Sequence, residues 1–272
     1  LGPAGCGKAT LLRMSGGLET VTSGSIYFDD RDITALPTSQ RNIGMVFQYA
    51  VVYRGLSVEE NIALPLKRDK VESAAIKARV DDAISLLDLE SVRRREAWRL
   101  PSVTRQKIAV ARQIARRPDI ILFDEPLTNL DASAKTQFKR SFKNITQQLK
   151  QTIVYVTHDQ TEAMTLGDYI ALMKDGKVVQ FDVPRSLYNY PQEVFGGWFL
   201  GNPGMNFVNA QVSTDGNGKH IRSPLLMRPM PAQGLSVEEN EIVLGIRPEH
   251  IRVSNEPLDE DSVPMELQQK WI

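Results

Sequence analysis

Residues 2–8 read Gly-Pro-Ala-Gly-Cys-Gly-Lys, and this spacing restricts the fold more than any other feature of the 272-residue chain. It fits G-x-x-x-x-G-K, a loop that wraps phosphate groups with successive backbone N–H donors. Such a loop needs a strand feeding it and a helix leaving it. A helix beginning near Lys8 would turn its positive end toward the anion, and the Lys8 ammonium would add a full charge at the β- and γ-phosphates. Gly2, Pro3, Ala4, Gly5, Cys6, Gly7, Lys8, Ala9 and Thr10 are therefore the candidate nucleotide-binding residues. Leu1 opens directly onto the loop, so further sequence carrying the feeding strand is expected upstream. The residue after the lysine should offer a hydroxyl to Mg²⁺. Here it is Ala9, and Thr10 lies one residue out of register for the metal. Taken alone, the loop competes with a glycine-rich turn that binds nothing.

The pattern that follows alternates strand and helix. Ser25–Phe28 and Ile43–Phe47 read as short strands bounded by turn residues. Ser57-Val58-Glu59-Glu60 resembles a capping box opening a helical region that runs to about Leu89. Within it, Ala74–Leu89 repeats Ile76, Val80, Ala83, Ile84 and Leu87 at helical spacing. Arg105–Arg117 is a further predicted helix, with Ile108, Ala111, Ile114 and Ala115 on one face. Asp119–Asp124 is a continuous apolar run ending in an acid, as a buried parallel strand reads. Thr152–Thr157 repeats that form after an amphipathic helix predicted over Ser133–Leu149. Ile170–Met173 and Lys177–Gln180 flank Asp175-Gly176, a hairpin turn signal. This alternation predicts an α/β sheet.

After Pro191 the texture changes to short alternating runs: Phe207–Val212, Lys219–Ile221, Ile242–Ile246 and His250–Val253. A boundary near Gly197–Gly201 is expected, dividing the chain into residues 1–198 and a small all-β domain over 199–272. Lys+Arg and Asp+Glu both number 33, so no basic field exists to hold nucleic acid or an anionic membrane. Apolar runs such as Ile120–Phe123 and Ile170–Met173 fall far short of the roughly 18–20 residues of a membrane span. A role at a membrane would therefore require docking onto other subunits. No signal-peptide pattern is read, and the single cysteine, Cys6, excludes an intramolecular disulfide and suits the cytosol.

Chemistry-bearing residues recur at predicted strand ends. Ile120–Pro126 reads I-I-L-F-D-E-P. Asp124 would hold Mg²⁺ through water, and Glu125 would act as general base on the attacking water. An Asp-Glu pair after a strand is more often a solvated loop, but here it has company. Thr128-Asn129-Leu130-Asp131 follows at once, Thr157-His158-Asp159 ends the next predicted strand, and Gln48 ends Ile43–Phe47. His158 would stand beside the γ-phosphate.

These motifs, in this order, resemble the ABC-transporter ATPase family over essentially the whole chain. Gln48 matches the family's Q-loop, Ile120–Pro126 its Walker B motif, Leu130-Asp131 its D-loop and His158 its switch histidine. Asp30-Arg31-Asp32-Ile33-Thr34 and Arg41–Gln48 are similar to the maltose and glycerol-3-phosphate importer branch. Pro203-Gly204-Met205-Asn206-Phe207 and Gly245–His250 resemble the C-terminal OB-like regulatory domain of those importers. The resemblance implies a P-loop ATPase core with a helical subdomain near residues 50–105. It also implies ATP and Mg²⁺ as cofactors, with Gln48 and Asp124 at the metal and Glu125, His158 and Gln48 catalytic. Two transmembrane permease subunits, an external solute-binding protein and a place on the cytoplasmic face of the membrane go with it.

One departure is large. The family expects L-S-G-G-Q ahead of Arg105, whereas this chain has Leu100, Pro101, Ser102, Val103 and Thr104. Pro101 lacks both hydroxyl and N–H, and Val103 puts a β-branched side chain where backbone must approach closely. The family's adenine-stacking aromatic lies upstream of the phosphate loop. The resemblance therefore leaves three readings open. The chain is a working transport ATPase, expected to pair with a non-identical ATPase subunit carrying an intact signature and to energise import of a carbohydrate or polyol. Or it is a catalytically weak regulatory ATP-binding subunit, or a soluble ABC ATPase without permeases, against which the neutral charge argues.

Overall fold

The computed structural model divides into two units, Leu1–Pro184 and Arg185–Ile272. It describes residues 1–131, 133, 135–136, 138–139, 142–143, 151–215, 218–232, 241–254, 256, 258 and 262–263.

In the first unit the phosphate loop runs straight into α1, Lys8–Gly16. Gly17, at φ 72°, ends the helix by donating to the Met14 carbonyl at 3.1 Å. Arg41 completes that end: its buried guanidinium donates to the Met14 and Ser15 carbonyls at 2.7 and 2.8 Å. Next come the two-residue strands β1, Tyr27–Phe28, and β2, Arg31–Asp32. The expected strand from Ser25 is shorter because the Ile26 N–H turns to the Thr34 hydroxyl, at 2.8 Å.

The central sheet is parallel, in the order β3 (Ile43–Val46), β4 (Ile120–Asp124) and β5 (Thr152–Val156). Its register sets Val46 beside Phe123, and Asp124 beside Val156. As the middle strand, β4 is covered on both faces, which accounts for its unbroken apolar run.

Three helices pack together beside this sheet: α2 (Val58–Arg68), α3 (Ser73–Leu86) and α4 (Ser102–Arg116). The capping box is formed, Ser57 Oγ accepting from Glu60 N–H at 3.3 Å and Glu60 Oε2 from Ser57 N–H at 2.7 Å. Ile62, Leu66, Ile84, Leu87, Ile108 and Phe123 meet in one core. The helix expected from Arg105 begins earlier, at Ser102. Pro101 takes the N-cap, where its missing N–H costs nothing, and its carbonyl accepts from Arg105 N–H at 3.0 Å. Along β3, α4 covers carbonyls that β4 leaves free. Arg116 bonds Ile43 O at 2.6 Å, Gln113 bonds Met45 O at 3.2 Å and Gln106 bonds Phe47 O at 3.3 Å.

Residues 133–143 are helical where described, and the rest of the helix predicted over Ser133–Leu149 lies outside the described residues. Helix α5, Gln160–Leu166, follows β5. The predicted hairpin forms from β6, Ile170–Lys174, and β7, Lys177–Asp182. Asp175 and Gly176 have φ 49° and 79°, the two positive angles that a tight hairpin turn demands. Leu1 lies along β6: its amine donates to Ala171 O at 3.0 Å and its carbonyl accepts from Met173 N–H at 2.7 Å.

The second unit contains α7, Val194–Phe199, most of α6, Pro184–Asn189, and an antiparallel sheet. The sheet order is β10 (Met230–Pro231), β9 (Gly218–Arg222), β8 (Asn206–Asp215) and β11 (Glu241–Ile246). Ala210, Ile221 and Ala232 form its core with Val212, Ile242 and Leu244. Arg247 fastens residues 188–200 to the end of β11, donating to the carbonyls of Tyr188, Gly197 and Leu200. Residues 185–198 thereby belong with this unit, although sequence texture drew the boundary near Gly197–Gly201. The strand expected at His250–Val253 is absent. Pro248 opens a 3-10 turn, Pro248–His250, in which Ile251 N–H returns to the Pro248 carbonyl at 3.0 Å. Among the described residues no helix is long and apolar enough to cross a membrane.

Candidate functional site

The loop at residues 2–8 has the backbone that its glycines permit. Gly5 and Gly7 have φ 79° and 98°, and Gly7 is the N-cap of α1. At Gly2 a Cβ would stand 2.3 Å from the Met173 carbonyl oxygen, so only glycine fits between the loop and β6. Cys6 is buried, while Ala4 and Gly5 are exposed at the tip. Lys8 is 5% exposed. Its ammonium folds back across the loop, donating to the Gly2 and Pro3 carbonyls at 2.8 Å each. An entering phosphate would compete with those carbonyls for the same charge. Ala9 is half-buried at the second position of α1, and Thr10 is exposed beyond it.

Asp124 and Glu125 stand at the C-terminal end of β4, where parallel sheets present ligands. Burial raises the Asp124 carboxyl above its ordinary value, as does Glu125, while the Arg13 and Lys8 charges of α1 pull it down. Glu125 has φ 44°, a strained angle for a residue with a Cβ. Its N–H is held by the Val156 carbonyl at 3.0 Å. The Glu125 carboxylate oxygen Oε2 lies 3.0 Å from His158 Nδ1 and accepts from the Thr128 hydroxyl at 3.1 Å. His158 is presented by a braced turn. Thr157 Oγ1 accepts from Asp159 N–H at 2.9 Å and donates to buried Glu162 at 2.8 Å, while Asp159 caps α5 through Glu162 N–H at 3.1 Å. Tyr155 also donates to Glu162, at 3.0 Å, and burial drives its phenol pKa strongly up.

The sequence-selected residues thus separate into groups. Asp124, Glu125 and His158 converge at the ends of β4 and β5. Gln48 is half-buried beyond β3, its carbonyl accepting from Asn129 at 3.2 Å. Leu100 is buried, Pro101 and Ser102 are exposed, and no side chain caps the N-terminus of α4. Val103 and Thr104 line a cavity of about 390 Å³ with Lys107, Asp88, Ser91 and Asp131, which places Asp131 beside the substituted signature. Thr128, Asn129 and Glu162 carried no role in the sequence reading beyond the motif Thr128–Asp131. Only the spacing of Asp159 and Glu162, a capped helix start, pointed to one of them.

Among the described residues no group of three or more His, Cys, Asp or Glu forms a metal cage. That donor set fits Mg²⁺ arriving with a nucleotide, since Mg²⁺ is usually held by one or two carboxylates and the phosphates. Asp124 is the carboxylate so placed.

Comparison with known proteins adds to the geometry. Residues 1–128 match the ABC transporter family, and residues 201–251 match the MalK OB fold domain. A sulfoquinovosyl glycerol transport ATP-binding protein of Agrobacterium fabrum is 42% identical over 256 residues, covering 92% of this chain and 70% of that protein. An sn-glycerol-3-phosphate import ATP-binding protein of Yersinia enterocolitica is 40% identical over 269 residues, covering 98% of this chain and 74% of that protein. A diacetylchitobiose uptake system ATP-binding protein of Streptomyces coelicolor is 41% identical over 254 residues, 93% and 67% of the two chains. Among solved structures, cbiO1 of Clostridium perfringens, part of the ABC transporter complex cbiONQ, superposes with a TM-score of 0.62. It is 26% identical and covers 69% of this chain and 76% of that one.

Proposed function

The chain belongs to the ABC transporter family of ATP-binding subunits, and from that premise we propose that it powers import of a carbohydrate or related polyol by hydrolysing Mg²⁺-ATP. Its enzymatic activity is that of an ATPase coupled to transport. The solute class follows from relatives named for sulfoquinovosyl glycerol, glycerol-3-phosphate and diacetylchitobiose.

The observation that carries the residue assignments is the junction of β4 and β5, where Glu125 and His158 meet at 3.0 Å. In this reading Gly2–Lys8 and Thr10 hold the phosphates and α1 adds its positive end. Asp124, with Gln48, holds Mg²⁺. Glu125 takes the proton of the attacking water, and His158 stands at the γ-phosphate. The bound metal would neutralise charge on the transferring phosphoryl group. Residues 1–184 carry the nucleotide-binding domain, and an OB-like regulatory domain lies within 185–272. The chain docks peripherally on the cytoplasmic face of the membrane against two permease subunits, with Tyr49–Asn61 beside Gln48 as the contact.

We also propose that the second ATPase subunit of the complex is non-identical. In this family each ATP lies between one chain's phosphate loop and the other chain's signature. This chain's signature position has Pro101 where the family has serine and gives the N-terminus of α4 no side-chain cap. Losing preorganised donors of that kind costs roughly 10²–10³ in rate for each. A partner with an intact signature would make the site built on Lys8 and Glu125 the faster one. The same two features, Ala9 and Pro101–Thr104, favour the second reading, a regulatory subunit that binds ATP and turns it over weakly.

The test is to purify the complex through a tag on this chain, determine its subunits by native mass spectrometry, and compare ATPase rates. One copy each of two ATPase chains with two permeases is the expected composition. A fully active homodimer of this chain would remove the unequal pairing, and complexes free of permeases would remove the transport reading.

A further inference from the structure

Glu125 is held by its own turn as well as by the neighbouring strand. Its left-handed φ of 44° is kept by two backbone bonds: its N–H to Val156 O at 3.0 Å, and its C=O from Thr128 N–H at 3.3 Å. The carboxylate is oriented asymmetrically. Oε2 faces two partners, the Thr128 hydroxyl at 3.1 Å and His158 Nδ1 at 3.0 Å, whereas Oε1 has no hydrogen-bond partner among the described residues. A carboxylate oxygen accepts about two hydrogen bonds, so Oε2 is filled and Oε1 is the oxygen left for a water.

The two partners of Oε2 differ in how firmly they are placed. The His158 side chain is 49% exposed at the end of a strand, free to reach toward a ligand. Thr128 is half-buried in the same turn as Glu125. Its β-branched side chain is stiff, and the next residue, Asn129, ties the turn to the Gln48 carbonyl at 3.2 Å. The turn is thus anchored at both ends, to Glu125 and to the segment after β3.

We propose that Thr128 is a positioning residue for ATP hydrolysis: its hydroxyl holds Glu125 Oε2, turning Oε1 toward the attacking water whether or not His158 stays in contact. This rests on the reading of Glu125 as the general base. Without the hydroxyl the carboxylate keeps its charge but rotates more freely, and the correctly aimed fraction falls. Misplacement of a reacting group by about 1 Å costs on the order of 10²-fold. Nucleotide binding, carried by the phosphate loop, is unaffected.

The experiment compares Thr128→Val, Thr128→Ser and Glu125→Gln in the purified transport complex, reading kcat and KM for ATP and the melting temperature. Thr128→Val is isosteric and removes only the hydroxyl. The expected result is a kcat lowered about tenfold or more, a KM within twofold of the parent and an unchanged melting temperature. Thr128→Ser, which keeps the hydroxyl, restores most of kcat. If Thr128→Val turns over at the parent rate while Glu125→Gln abolishes turnover, the positioning role is overturned and the general-base reading stands. If Glu125→Gln itself has no effect, both fall. A melting temperature or KM that moves with kcat, without rescue by serine, assigns Thr128 a structural role and overturns the proposal.

Discussion

Replacing Ala9 with serine should increase, not decrease, the affinity of this site for Mg²⁺-ATP. Ala9 is the second residue of α1, directly after Lys8. A hydroxyl there would point where the Mg²⁺ bound to the β- and γ-phosphates sits. Thr10 cannot substitute, because successive helix residues are about 100° apart around the axis and Thr10 faces solvent. With Ala9, a water must fill the position. Exchanging it for a fixed hydroxyl resembles gaining a hydrogen bond to a charged group, about 1–3 kcal/mol, or roughly 5- to 150-fold in affinity. Alanine to serine lowers helix propensity by only about 0.5 kcal/mol, so the fold tolerates the change. The assay is calorimetric titration of the purified complex with ATP, in Mg²⁺ and in EDTA. Ala9→Ser should tighten binding in Mg²⁺ and leave the EDTA value alone, while Thr10→Val should leave the Mg²⁺ gain of the parent intact. Equal affinities for parent and Ala9→Ser in Mg²⁺ would refute the assignment of this helix end to the metal.

Further predictions concern the fold of each unit. Gly2→Ala places a methyl 2.3 Å from the Met173 carbonyl oxygen and should cost about 1–3 kcal/mol in thermal or urea unfolding. Gly5→Ala, with nothing within 4 Å of the new methyl, should cost only the strain of φ 79°, about 1–2 kcal/mol. Arg247→Ala takes a donor from the Tyr188, Gly197 and Leu200 carbonyls, of which Gly197 keeps the Met205 N–H; Arg247 is 3% exposed and stacks on Tyr188. A loss of about 3 kcal/mol or more is expected, seen as faster hydrogen exchange in β8 and β11 but not in β4. Ser57→Ala removes the cap of α2 and should cost about 0.5–2 kcal/mol at neutral pH. The backbone and hydroxyl of Ser57 hold the Glu60 carboxyl below its ordinary 4.5, so its stabilisation is present above that pH and lost as pH falls through the lowered value. The urea midpoints of parent and Glu60→Gln should therefore differ at pH 7 and converge in acid below 4.5.

Much of the first unit was legible because its signals are local. Gly2–Lys8 demands left-handed backbone, which the structure has at Gly5 and Gly7. The run Ile120–Phe123 reads as a covered central strand, the Ser57–Glu60 spacing as a capped helix, and Asp175-Gly176 as a tight turn. What was not legible depends on partners distant in sequence or on a bond invisible to pattern. Ser25 and Ile26 look like strand, but Ile26 bonds the Thr34 hydroxyl instead. Residues 250–253 alternate like strand, but the 3-10 turn at Pro248–His250 takes up His250, and 251–253 form no strand. The start of α4 lies ahead of the apolar face that marks the helix from Arg105, because Ser102–Thr104 carry no such periodicity and Pro101 is harmless at an N-cap. At the site, Glu125, Asp124 and His158 stood out as acids and an imidazole at strand ends. Thr128 and Asn129 did not, because a hydroxyl and an amide in a turn have no distinguishing pattern until their acceptors, Glu125 and Gln48, are in place. Arg247 was read within the motif Gly245–His250, with nothing in it to show that its guanidinium closes the segment 188–200.

The most direct test of the central claim is ATP hydrolysis by the purified complex carrying Glu125→Gln in this chain alone, measured beside the matching change in the proposed second ATPase subunit. Glu125 accepts from Thr128 and meets His158 at the end of β4, so it is the group assigned to the attacking water. Its amide cannot take a proton, and removal of a general base typically costs about 10²–10⁴ in rate. The account predicts that Glu125→Gln still binds ATP and lowers turnover by that order, more than the change in the partner does. Turnover near the parent rate, with the partner change abolishing it, would contradict the account and leave this chain a regulatory ATP-binding subunit.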